Sequence, residues 1–166
     1  MQTLNSMQDL MVMTLGDLLT AERRQIEMMP MLLKAAHSPE LLEALKQHQE
    51  ETQAHAERLE QIFQKMGQPP PRLPNPVLEA MIRRGQDVMQ IGGDAAVKEA
   101  ALVCEAQKFE HFEMAGYGTA AALAKQMGDH ETAQLLARTL QEEKASDERL
   151  TRIAEAQSNP LAAQAG

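Results

Sequence analysis

Four stretches of this chain carry apolar residues at spacings of three and four, and each stripe is broken near its middle by carboxylates or imidazoles. That spacing follows one face of an α-helix, which turns about 100° per residue. An amphipathic helix buries its apolar face against another, so four such runs predict a helical bundle. The first stripe is Met7, Met11, Leu15, Leu18, Glu22, Ile26, Met29 and Leu33, and the second is Leu41, Leu45, His48, Glu51, His55, Leu59, Ile62 and Met66. The third runs Leu102, Ala106, Glu110, Glu113, Tyr117 and Ala120, and the fourth Leu136, Leu140, Glu143, Asp147, Leu150 and Ala154.

The breaks between runs are chemically explicit. The first helix is expected from Leu4 to Ala36, kinked at Pro30, which lacks an N–H and crowds the Ile26 carbonyl. Ser38 caps the second helix with Pro39 at its first position, and Gly67 ends it after Met66. A non-helical run, Gln68 to Pro74, then opens a long connection holding one short amphipathic helix, Pro76 to Ile91, capped by Asn75. Gly92-Gly93-Asp94 starts the third long helix, which reaches Met127, and Gly128-Asp129 turns the chain into the fourth, His130 to Gln157. A long connection after the second helix lets the third run parallel to it. The fold class is therefore all-α, a ferritin-like four-helix bundle with a long crossover, as one domain over residues 1–157 with a disordered tail over 158–166.

At 43% hydrophobic, the 166 residues can bury a core unaided, and with 2% aromatics and no Trp that core suits helix packing. Acidic and basic residues are interleaved around a net charge of -8, which argues against nucleic acid and anionic membrane as partners. The single cysteine, Cys104, builds neither an internal disulfide nor a cysteine metal cluster and is expected to be a small buried residue. Asp9 and Asp17 interrupt the amphipathic N-terminus, which lacks a basic n-region, so a reducing, cytoplasmic setting is expected. No Gly-rich phosphate loop, GxSxG or Cys/His pair supports a nucleotide or hydrolase reading.

Function rests on the interrupting residues. An ionised carboxylate taken out of water costs several kcal/mol unless it is paired or coordinates metal. The inward acids are Glu22, Glu51, Glu110, Glu113, Glu143 and Asp147, with only Arg58 and Lys108 near enough to compensate. Two divalent ions would balance them, and mixed carboxylate and imidazole donors suit iron or manganese, with zinc an alternative and calcium less natural. His55, one turn after Glu51, is the preferred imidazole ligand, and His48 is its substitute or a supporting residue. His37, His111 and His130 read as surface residues. Clustered methionines such as Met28 and Met29 read as core filling. Tyr117, one turn beyond Glu113, is either a core residue with a satisfied hydroxyl or a redox-active neighbour of the metals.

The segments HQEET (48–52), HAERLEQIF (55–63), AQKFEHFEMAGYGT (106–119) and LQEEKASDERL (140–150), with DLLTAERRQ (17–25), resemble the YciE/YciF-like family of bacterial ferritin-like stress proteins. The resemblance covers residues 4–155. It implies a ferritin-like bundle that dimerises and holds a dimetal centre, and by position it carries ligands onto Glu22, Glu51, Glu110, Glu113, Glu143 and Asp147. At His55 relatives often have Gln, which leaves open whether the second helix offers an imidazole from His55, from His48 or from neither. The expected function is a di-iron or di-manganese carboxylate protein oxidising ferrous iron or reducing dioxygen or peroxide under stress, with Glu110 and Glu51 bridging the metals. The alternatives are a non-catalytic dimeric metal-binding bundle and, more weakly, iron storage in a shell.

Overall fold

The computed structural model describes residues 4–71 and 74–165, so Arg72 and Leu73 of the proline-rich connection lie outside the described residues. Within them the chain forms α1 (Met7–Ala35), α2 (Pro39–Met66), α3 (Pro76–Gln90), α4 (Ala95–Gln126) and α5 (His130–Ile153). The caps are those the sequence calls for. Ser38, Asn75, Asp94 and Asp129 accept first-turn N–H groups of α2 to α5, and Gly67 closes α2 in the left-handed conformation at φ 66°. α1 begins at Met7, later than expected, because Ser6 accepts from the Asp9 N–H. Pro30 sits inside α1 without ending it.

The chain's end departs from the expected disordered tail. Helix continues beyond Ile153 through a π-helical turn, Ala154–Ser158, and one α-turn, α6 (Asn159–Ala162), with Ser158 buried. This extension packs on α4 and α5, a support that composition does not reveal.

The four long helices contact in a ring, α1 with α2, α2 with α5, α5 with α4 and α4 with α1. Cross-helix pairs fix their directions. Gln25 meets Glu113 while Glu22 meets Tyr117, and Ser146 meets His48 while Arg58 meets Thr139, so neighbours run antiparallel. The diagonal pair α2 and α4 is therefore parallel, as the long crossover requires. α3 within that crossover covers α1 and α4, laying Leu78 and Ile82 on Ala21, Met28 and Phe109. Gly116 lets α1 close on α4, since a Cβ there would meet Leu18 Cδ2 at 2.7 Å.

The core is layered along the bundle axis. One apolar layer gathers Leu15, Leu18, Leu59, Ile62, Phe63, Leu123 and Leu136, and the other gathers Met29, Leu41, Leu45, Val103 and Leu150. Between them every long helix contributes buried polar residues: Glu22 and Gln25 from α1, His48, Thr52 and His55 from α2, Glu110 and Glu113 from α4, Glu143 and Ser146 from α5. Dry layers on both sides withhold water from these groups.

Candidate metal centre

The polar layer resolves into two adjoining groups. Glu22, His55 and Glu143 each bring one ligand-type atom within 4.8 Å of the others, and His48, Glu110 and Glu143 do the same. Glu143 belongs to both. All five residues are buried, and Glu22, His55 and Glu143 have no exposed surface.

In the first group, His55 Nδ1 lies 2.8 Å from Glu143 Oε1 and 3.4 Å from Glu22 Oε1. Its Nε2 faces Glu142 Oε2 at 3.0 Å. Glu142 is itself held by Arg58, by Arg138 at 3.0 Å and, through Arg58, by Thr139. With its Nε2–H held by Glu142, His55 would have to give up only its Nδ1 proton to turn a lone pair inward, the tautomer a metal ligand needs. The Tyr117 hydroxyl donates to Glu22 Oε1, so that hydroxyl is satisfied in the core.

In the second group, His48 Nε2 lies 3.0 Å from Gln25 Oε1 and 3.4 Å from Glu110 Oε1. Ser146 Oγ donates to Glu110 Oε1 at 3.2 Å and lies 3.2 Å from His48 Nδ1. Gln25 also donates through Nε2 to Glu113 Oε2, tying Glu113 to the same group.

Electrostatics show a site short of positive charge. Burial pushes Glu113 well above the usual carboxylate range, and the charges of Glu22, Glu143 and Glu110 push it further. Burial likewise raises Glu110 to about 8 against the pull of His48, and raises Glu22 against the pull of His55. Glu143 is the exception, since the nearby His55, 2.8 Å from its Oε1, and the charge of His48 outweigh burial and hold it low. Both imidazoles keep their protons despite burial. Glu110 and Glu51 carry His48 to about 9, and Glu143 and Glu22 carry His55 to about 10. Even so, Glu22 Oε2, Glu110 Oε2, Glu113 Oε1, both Glu143 oxygens and His55 Nδ1 lack hydrogen-bond partners. Buried orphan acceptors of this kind are rare in folded proteins, and divalent ions would satisfy them as a set. The donor set fits two transition metals.

Several sequence expectations change here. Glu51 does not converge with the others. It is partly exposed at the α2–α5 edge, bonded to Arg149 and to Gln47 at 2.9 Å, and comes no nearer than 3.9 Å to His48 Nδ1. Asp147 is also at an edge, accepting from Gln107 at 3.1 Å and facing the exposed His111 at 3.2 Å. Cationic and amide partners across the helix edges stabilise both acids in contact with water. The residue common to the two groups is Glu143, in place of the expected bridges Glu110 and Glu51. Both His48 and His55 are drawn in. Lys108 lies on the surface with Glu105 at 2.8 Å, and Cys104 is exposed, not buried.

The profile of a domain of unknown function, DUF892, matches residues 6–163. The chain belongs to this family. It is 34% identical over 152 residues to the protein YciF of Escherichia coli K12, covering 91% of this chain and 92% of that one. The crystal structure of the Escherichia coli stress protein YciF superposes with a TM-score of 0.88 over 94% of this chain and 99% of that one. YcfI of Rhodopseudomonas palustris is 34% identical, with a TM-score of 0.84 over 90% of this chain and 96% of its own. A protein of Xanthomonas campestris pv. campestris, 24% identical, shares the fold at a TM-score of 0.74 over 91% of this chain and 93% of its own. The ferritin-like bundle expected from the stripes is the family's fold. Among the described residues no helix is long and apolar enough to cross a membrane.

Gln25, Glu142 and Ser146 escaped the sequence reading. Glu142 neighbours Glu143 in sequence but leaves the stripe, and only the packing of α2 on α5 brings it to His55. Ser146 carried a usable signal. It lies three residues after Glu143, on the same helix face by about 60°.

Proposed function

We propose that this chain binds two transition-metal ions, iron first with manganese or zinc as alternatives, and that with iron in place it oxidises ferrous iron by reducing dioxygen or peroxide. One observation carries the reading: two buried ligand groups share the single carboxylate of Glu143. Glu22 and His55 would hold one ion and His48 and Glu110 the other, with Glu143 between them and Glu113 beside both. Bound ferrous ions would each supply one electron, so that dioxygen with two protons leaves as hydrogen peroxide, or hydrogen peroxide with two protons leaves as two waters.

The chain's own residues prepare the site for that chemistry. Glu142 orients His55, Tyr117 holds Glu22 and Gln25 links Glu113 to His48. Burial and the charges of Glu22, Glu143 and Glu110 push the Glu113 carboxyl up, which favours its protonated form in the metal-free site. The Escherichia coli relative is a stress protein, which supports a stress role for this chain. In this proposal the chain works as a homodimer in the cytoplasm. A second reading, a non-catalytic dimeric bundle with structural metal, draws support from the complete enclosure of Glu22, His55 and Glu143.

Stopped-flow absorbance separates them. Protein loaded anaerobically with ferrous iron should give ferric absorbance on mixing with dioxygen or hydrogen peroxide, faster than free ferrous iron does. Metal-loaded protein inert to both oxidants contradicts the enzymatic reading and leaves the structural one.

A further inference from the structure

Beside the second ligand group lies a cavity of about 40 Å³. Its outer walls are apolar, formed by Met28, Met29, Leu45, Phe109 and Leu150, with Gly85 of α3 roofing one side. Its inner end is polar, with His48, Glu110, Gln25 and Ser146, but Gln25 is bonded to His48 and Glu113 and Ser146 to Glu110, so Glu110 Oε2 is the one buried polar side-chain atom of the lining without a partner among the described residues. Glu105, an acid on the outer wall, is neutralised by Lys108 at 2.8 Å and Arg84 at 3.5 Å. On the other side of the cluster, Tyr117 bonds Glu22 and Glu142 faces His55 Nε2 at 3.0 Å.

We infer that this cavity is a binding site for dioxygen, opening on the His48–Glu110 side of the cluster. The inference rests on the proposed dimetal reading and narrows its substrate. The size admits a diatomic molecule and excludes an organic substrate. The lining decides between the two oxidants. An apolar cavity stays dry and takes up apolar gases, because water or peroxide there needs roughly two to four polar partners. Dioxygen needs none, and it is more soluble in apolar surroundings than in water. The sulfur-bearing, flexible walls Met28 and Met29 adapt around such a guest, and the absence of a side chain at Gly85 keeps the roof open. A methyl at Gly85 would meet only Met28 Cε, at 3.5 Å.

Dioxygen is paramagnetic, so solution NMR reads its position directly. The full-length chain, kept with zinc so that no oxidant is consumed, is placed under dioxygen pressure and the methionine methyl relaxation is measured. Met29 and Met11 are equally sheltered, at 0% and 2% exposure, but only Met29 lines the cavity. The expected result is a several-fold larger relaxation enhancement at Met28 and Met29 than at Met11, lost in Ala106→Leu, which fills the cavity. Gly85→Ala, which the roof accommodates, serves if that variant does not fold and should reduce the contrast. Equal enhancement at Met29 and Met11, or a contrast that survives a folded filling variant, overturns the proposal. Metal content is measured separately, so a chain that takes up dioxygen here but holds no metal refutes the dimetal reading alone.

Discussion

Around His55 the bundle is closed by fixed hydrogen bonds: Tyr117 on Glu22, Glu142 on Nε2, and Arg58 and Arg138 on Glu142. Around His48 the supports are neutral, Gln25 and Ser146, and an apolar cavity lies alongside. Both halves use one histidine, one carboxylate of their own and the shared Glu143. The contrast teaches that ligand identity alone does not divide the labour. A rigid, charge-assisted surround suits an ion that stays, and a softer surround beside an open space suits the ion that meets the oxidant.

The largest effect tests what the halves share. Glu143→Gln should lower bound metal from two ions per chain to fewer than one and slow ferrous oxidation roughly 100-fold or more, read by elemental analysis and stopped flow. Two ions retained in that variant would break the shared-carboxylate account. Glu142→Gln should act on one half only. It removes the charge that orients His55, and weakens one ion's affinity by about 10- to 100-fold while the other site titrates as before.

Metal-free protein should grow less stable as pH rises, and the sign follows from the cluster. Glu22, Glu110 and Glu113 have folded values above the ordinary 4.5 of a glutamate, so above that pH the folded chain binds more protons than the unfolded one. His48 and His55 stabilise fully below 6.5 and lose that contribution as pH passes about 9 and about 10. Glu51, held at about 2 against burial by His48, Gln47 and Arg149, and the lowered Glu143 act the other way, losing stability only as pH falls below that ordinary 4.5. Urea midpoints should therefore peak near that pH and fall towards pH 10. Added zinc should reverse the slope, because its ligands bind deprotonated. A metal-free midpoint that rises between pH 6 and 9 contradicts this.

Smaller effects separate the halves by stability. Tyr117→Phe removes a hydrogen bond to a buried carboxylate and should cost about 1–3 kcal/mol, against about 0.5–1.5 kcal/mol for Ser146→Ala beside His48, both from denaturant unfolding. Smallest of all, Glu51→Gln and Asp147→Asn should keep both metals and lose no more than about 1 kcal/mol, since these acids face partly exposed partners. Loss of an ion in Glu51→Gln would restore that residue to the ligand set.

Much of this was legible from spacing and caps. Ser38, Asn75, Asp94, Gly67 and the Gly128-Asp129 turn each mark an end that local hydrogen bonding alone decides, and they fall where expected. Glu22, Glu110, Glu113 and Glu143 were found because they lie at the centre of their stripes. Glu51 and Asp147 were not separable from them. A three-four stripe is wide enough that a residue about 40° to 60° off its centre can face either the core or an edge. In α5 the buried line runs through Thr139, Glu143, Ser146 and Leu150, so Asp147 falls just outside it. In α2 it runs through His48, Thr52, His55 and Leu59, and Arg149 across the groove draws Glu51 away. The rotation of one helix against its neighbour sets these choices, and a single helix's pattern does not contain it. The same holds for Gln25 and Glu142, whose roles exist only across helix interfaces, and for the cavity, which is a space between five helices.

The central claim is that the buried cluster holds two ions about Glu143. Elemental analysis of the chain purified without chelators or a metal-affinity tag, alongside Glu143→Gln prepared identically, tests it most directly. The account predicts two transition-metal ions per chain in the unaltered protein and fewer than one in the variant. A folded, unaltered protein that carries no metal and takes up none on exposure to ferrous iron, manganese or zinc would contradict it.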